Sequence, residues 1–202
     1  MGLAALVLGL GCKSGSAALI LSLPTLSLPS PTSDTSGSFD LVFQNTGAPQ
    51  PLGDYQVGLQ VTPSAGFSIT GPATGADRPA NAVFGNQNPF FSSAVQPGVL
   101  IFTDAAVSNP VPTIADGATL LRVNYSVKAG TVGKFNLTFF LDDGNVATGS
   151  PWDSLLDDQN GNPIPVAFGS GSITFLAVPE PTTFLLAAGT LPLFLIRRRR
   201  GN

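Results

Sequence analysis

Hydrophobic and polar residues alternate along most of this chain with a period of two, the spacing of a half-buried β-strand. In 54–71, "DYQVGLQVTPSAGFSITG", Tyr55, Val57, Leu59 and Val61 fall on one face. In 36–47, Phe39, Leu41 and Phe43 oppose Asp40, Val42 and Gln44. In 118–130, Leu121, Val123, Tyr125 and Val127 turn inward, while Arg122, Asn124, Ser126 and Lys128 turn outward. The stretch 133–145 repeats the pattern with Phe135, Leu137, Phe139 and Leu141 inward. An opening run, 18–28, is broken at Pro24, which suits an edge strand. Residues 98–107 are continuously apolar at their centre, which predicts a strand covered on both faces, and 171–178 closes the series. Between them, 72–97 reads as a long loop region with a short strand near Val83–Phe84. Seven or more such strands, with no helical period, predict an all-β antiparallel sandwich forming one domain.

Composition sharpens this picture. Gly (23) and Pro (18) are abundant and only 10% of residues are charged, but a hydrophobic content of 43% with fourteen Phe excludes a disordered chain. From 32 to 176 there are eleven Asp against Arg78, Arg122, Lys128 and Lys134, a net charge of −7. With no basic stripe to neutralise phosphates, nucleic acid is not an expected partner. The chain has no His and one Cys, Cys12, which removes His-based acid–base chemistry, the Ser-His-Asp triad, Cys/His zinc sites and any internal disulfide. The body also has no Glu, so the paired carboxylates of a glycosidase are not expected, and the reading is a protein that is not an enzyme.

Two acidic clusters remain, Asp142-Asp143-Gly144-Asn145 and Asp157-Asp158-Gln159-Asn160-Gly161-Asn162. Asp157, Asp158, Asn160 and Asn162 are candidate calcium ligands, since hard cations take several oxygens from a tightly turning loop. Asx-Gly sequences are equally the chemistry of β-turns, and no other cofactor is implied. Tyr55 and Tyr125 belong to core faces by alternation. Trp152 and the Phe90-Phe91 pair sit in loops, where exposed rings would stack on sugars.

The run "DDQNGNPIPVAFGSGSITF" (157–175), preceded by "ATLLRVNYSVKAGTVGKFNLTFFLDD", resembles the C-terminal half of cohesin-like domains. The opening strand, polar turn and "SFDLVFQNTG" also fit how such domains begin. The resemblance covers about residues 19–176. It implies a jelly-roll-like β-sandwich, related in architecture to carbohydrate-binding modules, in which the Asn-Gly-x-x-Ile-Pro-Val segment and the last strand close the sheet as a hairpin.

The two ends read differently from the body. Residues 1–18 open apolar and end in small residues, with Ser16-Ala17-Ala18 as a small-x-small cleavage site; this reads as a secretory signal shortened at its start. Cys12 offers a lipoprotein alternative, and an unexported core segment is a third. At the other end, 177–202, the segment 184–196 is uncharged and reads as a short transmembrane helix, interrupted by Pro192. At 1.5 Å per residue it spans about 20 Å of a hydrocarbon core about 30 Å thick. Arg197, Arg198, Arg199 and Arg200 follow at once and would stay on the cytoplasmic side, leaving the body outside. The order Val-Pro-Glu-Pro-Thr, apolar segment, arginine cluster closely resembles the PEP-CTERM sorting signal, with Pro179, Glu180 and Pro181 as its defining triplet. That resemblance implies export, transient anchoring in the inner membrane, and processing by an exosortase-like membrane enzyme. Delivery to the outer surface or extracellular matrix follows. The combined expectation is a non-enzymatic surface protein of adhesion or biofilm matrix, with exopolysaccharide or another surface protein as partner. A carbohydrate-binding module and a tail-anchored ice-binding-type protein are the alternatives, though regular Thr-x-Thr repeats are absent.

Overall fold

Pro24 breaks the opening run into β1 (Leu19–Ser22) and β2 (Thr25–Pro29), and the break carries the chain from one sheet to another. The computed structural model describes residues 19–74, 77–85, 92–96, 98–106, 110–141 and 153–178. The further strands are β3 (Thr35–Asn45), β4 (Gln50–Pro51), β5 (Asp54–Thr62), β6 (Phe67–Pro72), β7 (Ser92–Gln96), β8 (Val99–Ala105), β9 (Thr113–Ile114), β10 (Thr119–Val127), β11 (Gly133–Phe139), β12 (Leu155–Asp157), β13 (Val166–Phe168) and β14 (Gly171–Leu176).

They form a sandwich of a five-stranded sheet, ordered β13-β1-β3-β10-β6, and a seven-stranded sheet, ordered β2-β14-β11-β5-β8-β7 with β12 also on β5. A two-stranded ribbon pairs β4 with β9. The inward faces match the alternation. Phe39, Leu41 and Phe43 of β3, Val57 and Leu59 of β5, Val123 of β10 and Leu137 of β11 are buried in one continuous core. Tyr55 and Tyr125 are buried in it too.

The structure corrects several expectations. Residues 54–71 form two strands in different sheets, because Pro63 and the turn at Gly66 end β5 before β6 begins. Strand β8 is not covered on both faces: Leu100, Phe102 and Asp104 point inward, while Val99, Ile101 and Thr103 on the outer face are only half-buried. Leu141 lies past the end of β11 and is 55% exposed. Near Val83–Phe84 there is an isolated bridge from Ala82 to Thr119, and β7 lies in a stretch whose pattern predicts loop, because its sequence, Ser-Ser-Ala-Val-Gln, is largely polar.

The largest correction concerns the ends of the sandwich. β13 and β14 are not hairpin partners: β13 runs parallel to β1 and β14 parallel to β2, so the first and last strands of the body cross between the sheets together. They touch where Gly171 meets Pro24. A Cβ on Gly171 would stand 2.3 Å from the Pro24 carbonyl oxygen, so the position requires a glycine.

Because these end strands are parallel, the described chain enters at one pole and leaves at the other. At the exit pole Ser30 N–H donates to Leu176 O and Gly130 N–H to Pro31 O, both at 2.8 Å. At the entry pole lie Asn45, Asp54, Asp104 and Asp157. The signal 1–18, Trp152, Phe90-Phe91, Asp142-Asp143, the triplet 179–181, the segment 184–196 and the arginines 197–200 lie outside the described residues. Among the described residues no helix is long and apolar enough to cross a membrane.

Candidate functional site

Alternation sorts the outward side chains of the two sheets into unlike surfaces. On the five-stranded sheet, Ser36, Ser38 and Asp40 of β3 face Ser126, Asn124 and Arg122 of β10 across the ladder. Arg122 Nε and Nη2 donate to Asp40 Oδ1 and Oδ2 at 2.7 and 3.0 Å, a bidentate surface pair. Hydrogen bonding to Asp40 is the main reason the Arg122 guanidinium is held above its usual range. A hollow of about 500 Å³ at the edge of this face is lined by Asp34, Thr35, Ser36, Ser126, Val127 and Lys128. Asp34 there already accepts the Ala129 N–H at 2.8 Å.

The outer face of the seven-stranded sheet has an aliphatic centre, with its charged residues Lys134, Asp54 and Asp157 toward the strand ends. Ile101 sits opposite Gly58, Gln56 opposite Thr103, and Gln60 opposite Thr138. Toward the entry pole a groove of about 330 Å³ is lined by Asp54, Tyr55, Gln56, Thr103, Asp104, Ala105 and Leu155. Leu155 is 41% exposed. It stands opposite Gln56 because β12 pairs with β5. The buried Ser154 fixes that pairing: its Oγ accepts the Gly58 N–H at 3.1 Å and donates to Gly58 O at 3.3 Å. Gln56 Nε2 donates to Asp153 O at 3.0 Å. Next to the groove Asp54 and Asp157 are cross-strand neighbours. Partial burial, and then the charge of Asp157, push the Asp54 carboxyl above its ordinary value.

The candidate calcium residues take separate roles. Asp157 ends β12, while Asp158 organises its own turn. Its Oδ1 accepts N–H bonds from Asn160 at 2.7 Å and Asn162 at 2.9 Å, and the Asn162 side-chain amide donates to Oδ2 at 3.0 Å. These bonds, the Asn162 side chain first, hold the exposed Asp158 carboxyl below its usual range. The loop is thus an Asx-stabilised turn whose carboxylate is already coordinated by its own amides. Gly53 seats it against the sandwich: its N–H donates to Asp157 O at 2.8 Å, and a Cβ there would stand 2.3 Å from Asp158 O. Among the described residues no group of three or more His, Cys, Asp or Glu is placed to hold a metal ion.

Sequence reading missed a buried polar cluster at the entry pole. Asp104 occupies an inward position of β8, and Arg78 reaches it from segment 77–85, with Nη1 3.9 Å from Asp104 Oδ2. Arg78 Nη1 also donates to Gly85 O at 2.8 Å. Burial raises the Asp104 carboxyl to about 6, against the lowering effects of the Ala105 N–H and the Arg78 charge. The signal was present in the pattern: continuing the alternation from Leu100 and Phe102 puts residue 104 in the core.

The fold is cohesin-like. CaCohA2 of Clostridium acetobutylicum, in its complex with CaDoc0917, is 17% identical with a TM-score of 0.60, covering 79% of this chain and 100% of that one. The OlpA cohesin of Clostridium thermocellum, solved with Doc918, gives 10% and 0.55, covering 79% and 99%. A non-cellulosomal cohesin of the archaeon Archaeoglobus fulgidus gives 15% and 0.53, covering 83% and 96%. No family model and no curated protein matches the sequence.

Proposed function

We propose that this chain is a non-enzymatic protein-recognition module of an exported bacterial surface or matrix protein. The observation that carries this reading is the outer face of the seven-stranded sheet, where Ile101 and the exposed Leu155 are set among Gln56, Gln60, Thr103 and Thr138. An aliphatic centre among uncharged polar side chains, with the acids Asp54 and Asp157 at its rim, is the anatomy of an interface core inside a polar rim. Two of the structural neighbours named above were solved as cohesin–dockerin or Coh–Doc complexes, which supports protein binding as the use of such a sandwich.

The terminal signals complete the proposal. Pro179, Glu180 and Pro181 are the sorting triplet for an exosortase-like enzyme, with 184–196 and Arg197–Arg200 holding the chain in the inner membrane until it is cut. Four arginines cost too much to pull through a bilayer, and a segment of about 20 Å holds poorly as a permanent anchor. The polarity of the body agrees with this arrangement: the described chain leaves the sandwich at the pole away from Asp54 and Leu155, so a tethered body presents its groove outward.

Chemical crosslinking on intact cells tests the recognition face. Substituting Ile101→Asp together with Leu155→Asp is expected to abolish a crosslinked partner band that Asn124→Asp, on the other sheet, leaves intact. Equal loss in both variants overturns the assignment of the face. For the tail, intact-mass analysis of the surface-exposed protein is expected to show a chain lacking Arg197–Arg200. Arg200 still attached at the surface reduces the tail to a simple anchor.

A further inference from the structure

Segment 77–85 lies as a strap across the entry pole, and it joins the two sheets in different ways. To the five-stranded sheet it is tied by polar bonds. Val83 N–H donates to Thr119 O at 2.9 Å, Thr119 N–H to Asn81 O at 3.1 Å, and Asn81 Nδ2 to Gly117 O at 2.9 Å. Toward the seven-stranded sheet it presents the Phe84 ring, 5.3 Å from that of Tyr55, and the Arg78 guanidinium, 3.9 Å from Asp104 Oδ2.

A separation of 3.9 Å is too long for a hydrogen bond. Asp104 Oδ1 accepts the Ala105 N–H at 3.0 Å, but Oδ2 is buried without a hydrogen-bond partner. The Asp104 side chain is 0% exposed. A carboxylate kept dry with one oxygen undonated is costly as an anion, and much less so as a neutral acid. We infer that strap 77–85 is a pH-operated latch on this pole, seated when Asp104 takes up a proton and loosened when Asp104 ionises.

The direction follows from which form holds the proton more tightly. With the strap seated, burial lifts Asp104 to about 6. With the strap raised, water reaches the carboxyl and returns it to the ordinary range. The seated form therefore binds the proton more tightly, and seating is favoured as pH falls through about 6 and disfavoured as it rises above. Among the described residues, two titratable or charged groups face Asp104: Arg78 from the strap, a fixed cation, and Tyr55 from β5. Burial first, then the charge of Asp104, push the Tyr55 phenol above its usual range, so it stays neutral throughout. Asp54 and Asp157 stand on the outer face by alternation.

Hydrogen exchange on the full-length chain tests the latch. Protection of the Val83 and Gly85 amides, corrected for intrinsic exchange, is compared at about pH 5 and about pH 7.5. Protection is expected to be about tenfold higher at the lower pH, while Val123, in the middle of β10, stays unchanged. Asp104→Asn is expected to give the same Val83 protection at both values. Equal wild-type protection at the two values, or a pH dependence that survives in Asp104→Asn, overturns the inference. The wild-type comparison of Val83 with Val123 decides the matter even if the variant does not fold.

Discussion

The two poles of the sandwich are closed by opposite kinds of chemistry. At the exit pole the Phe67 ring lies 5.0 Å from Tyr125, 5.2 Å from Phe135 and 6.3 Å from Phe175, and Phe39 stacks on Tyr125 in turn. At the entry pole Phe84, Tyr55 and Phe102 share the space with a buried Arg78–Asp104 pair. Apolar packing is indifferent to pH and accumulates through many weak contacts. A buried charge pair gains little net stability, because desolvation offsets its attraction. The contrast assigns stability to one pole and responsiveness to the other, within a single core.

Removing the centre of the aromatic cluster is the strongest way to break that contrast. Phe67→Ala should cost about 3–5 kcal/mol in urea unfolding, since a ring with no exposed surface leaves a cavity. A cost below about 1 kcal/mol would mean that the pole collapses around the gap. Gly53→Ala should cost about 1–3 kcal/mol by forcing the backbone at Asp158 to move. Its effect should appear as exchange in loop 157–162 while the exit pole stays protected.

The pH profile of melting separates the poles without mutation. Asp104, raised in the fold, contributes stability that is present in acid and lost as pH rises through about 6. Asp158, lowered in the fold, contributes stability that is present at neutral pH and lost as pH falls below the ordinary carboxylate range. The melting temperature should therefore peak at about pH 4 and fall toward about pH 6, and Asp104→Asn should shrink that fall to the share of Asp54, whose carboxyl is also raised. The smallest effect belongs to the open surface: Asp40→Asn should cost less than about 1 kcal/mol, and still less in high salt, because the pair it breaks is partly solvated.

Where sequence reading succeeded, one face was apolar and the other polar, as in β3, β10 and β11. It failed where the two faces no longer differed. The apolar centre of β8 concealed an ordinary alternation, in which the outward Val99 and Ile101 are half-buried and apolar as well. The largely polar β7 sits at a sheet edge, where little burial is needed to hold it. The calcium candidates were ambiguous for a related reason: an Asp-Asn-Gly-Asn loop offers the same oxygens to an ion or to its own amides, and only the geometry around Asp158 showed the amides in place.

By itself, then, the sequence determined which residues face the core along the long strands, because a period of two is local backbone geometry. It also determined the chemistry absent from the body, since residue types that are not encoded cannot act. Only the tertiary structure decided which sheet each strand joins, that the first and last strands of the body run parallel, and that Arg78 meets Asp104. These depend on contacts between residues far apart in the chain, where many pairings satisfy the same local pattern and close packing selects one.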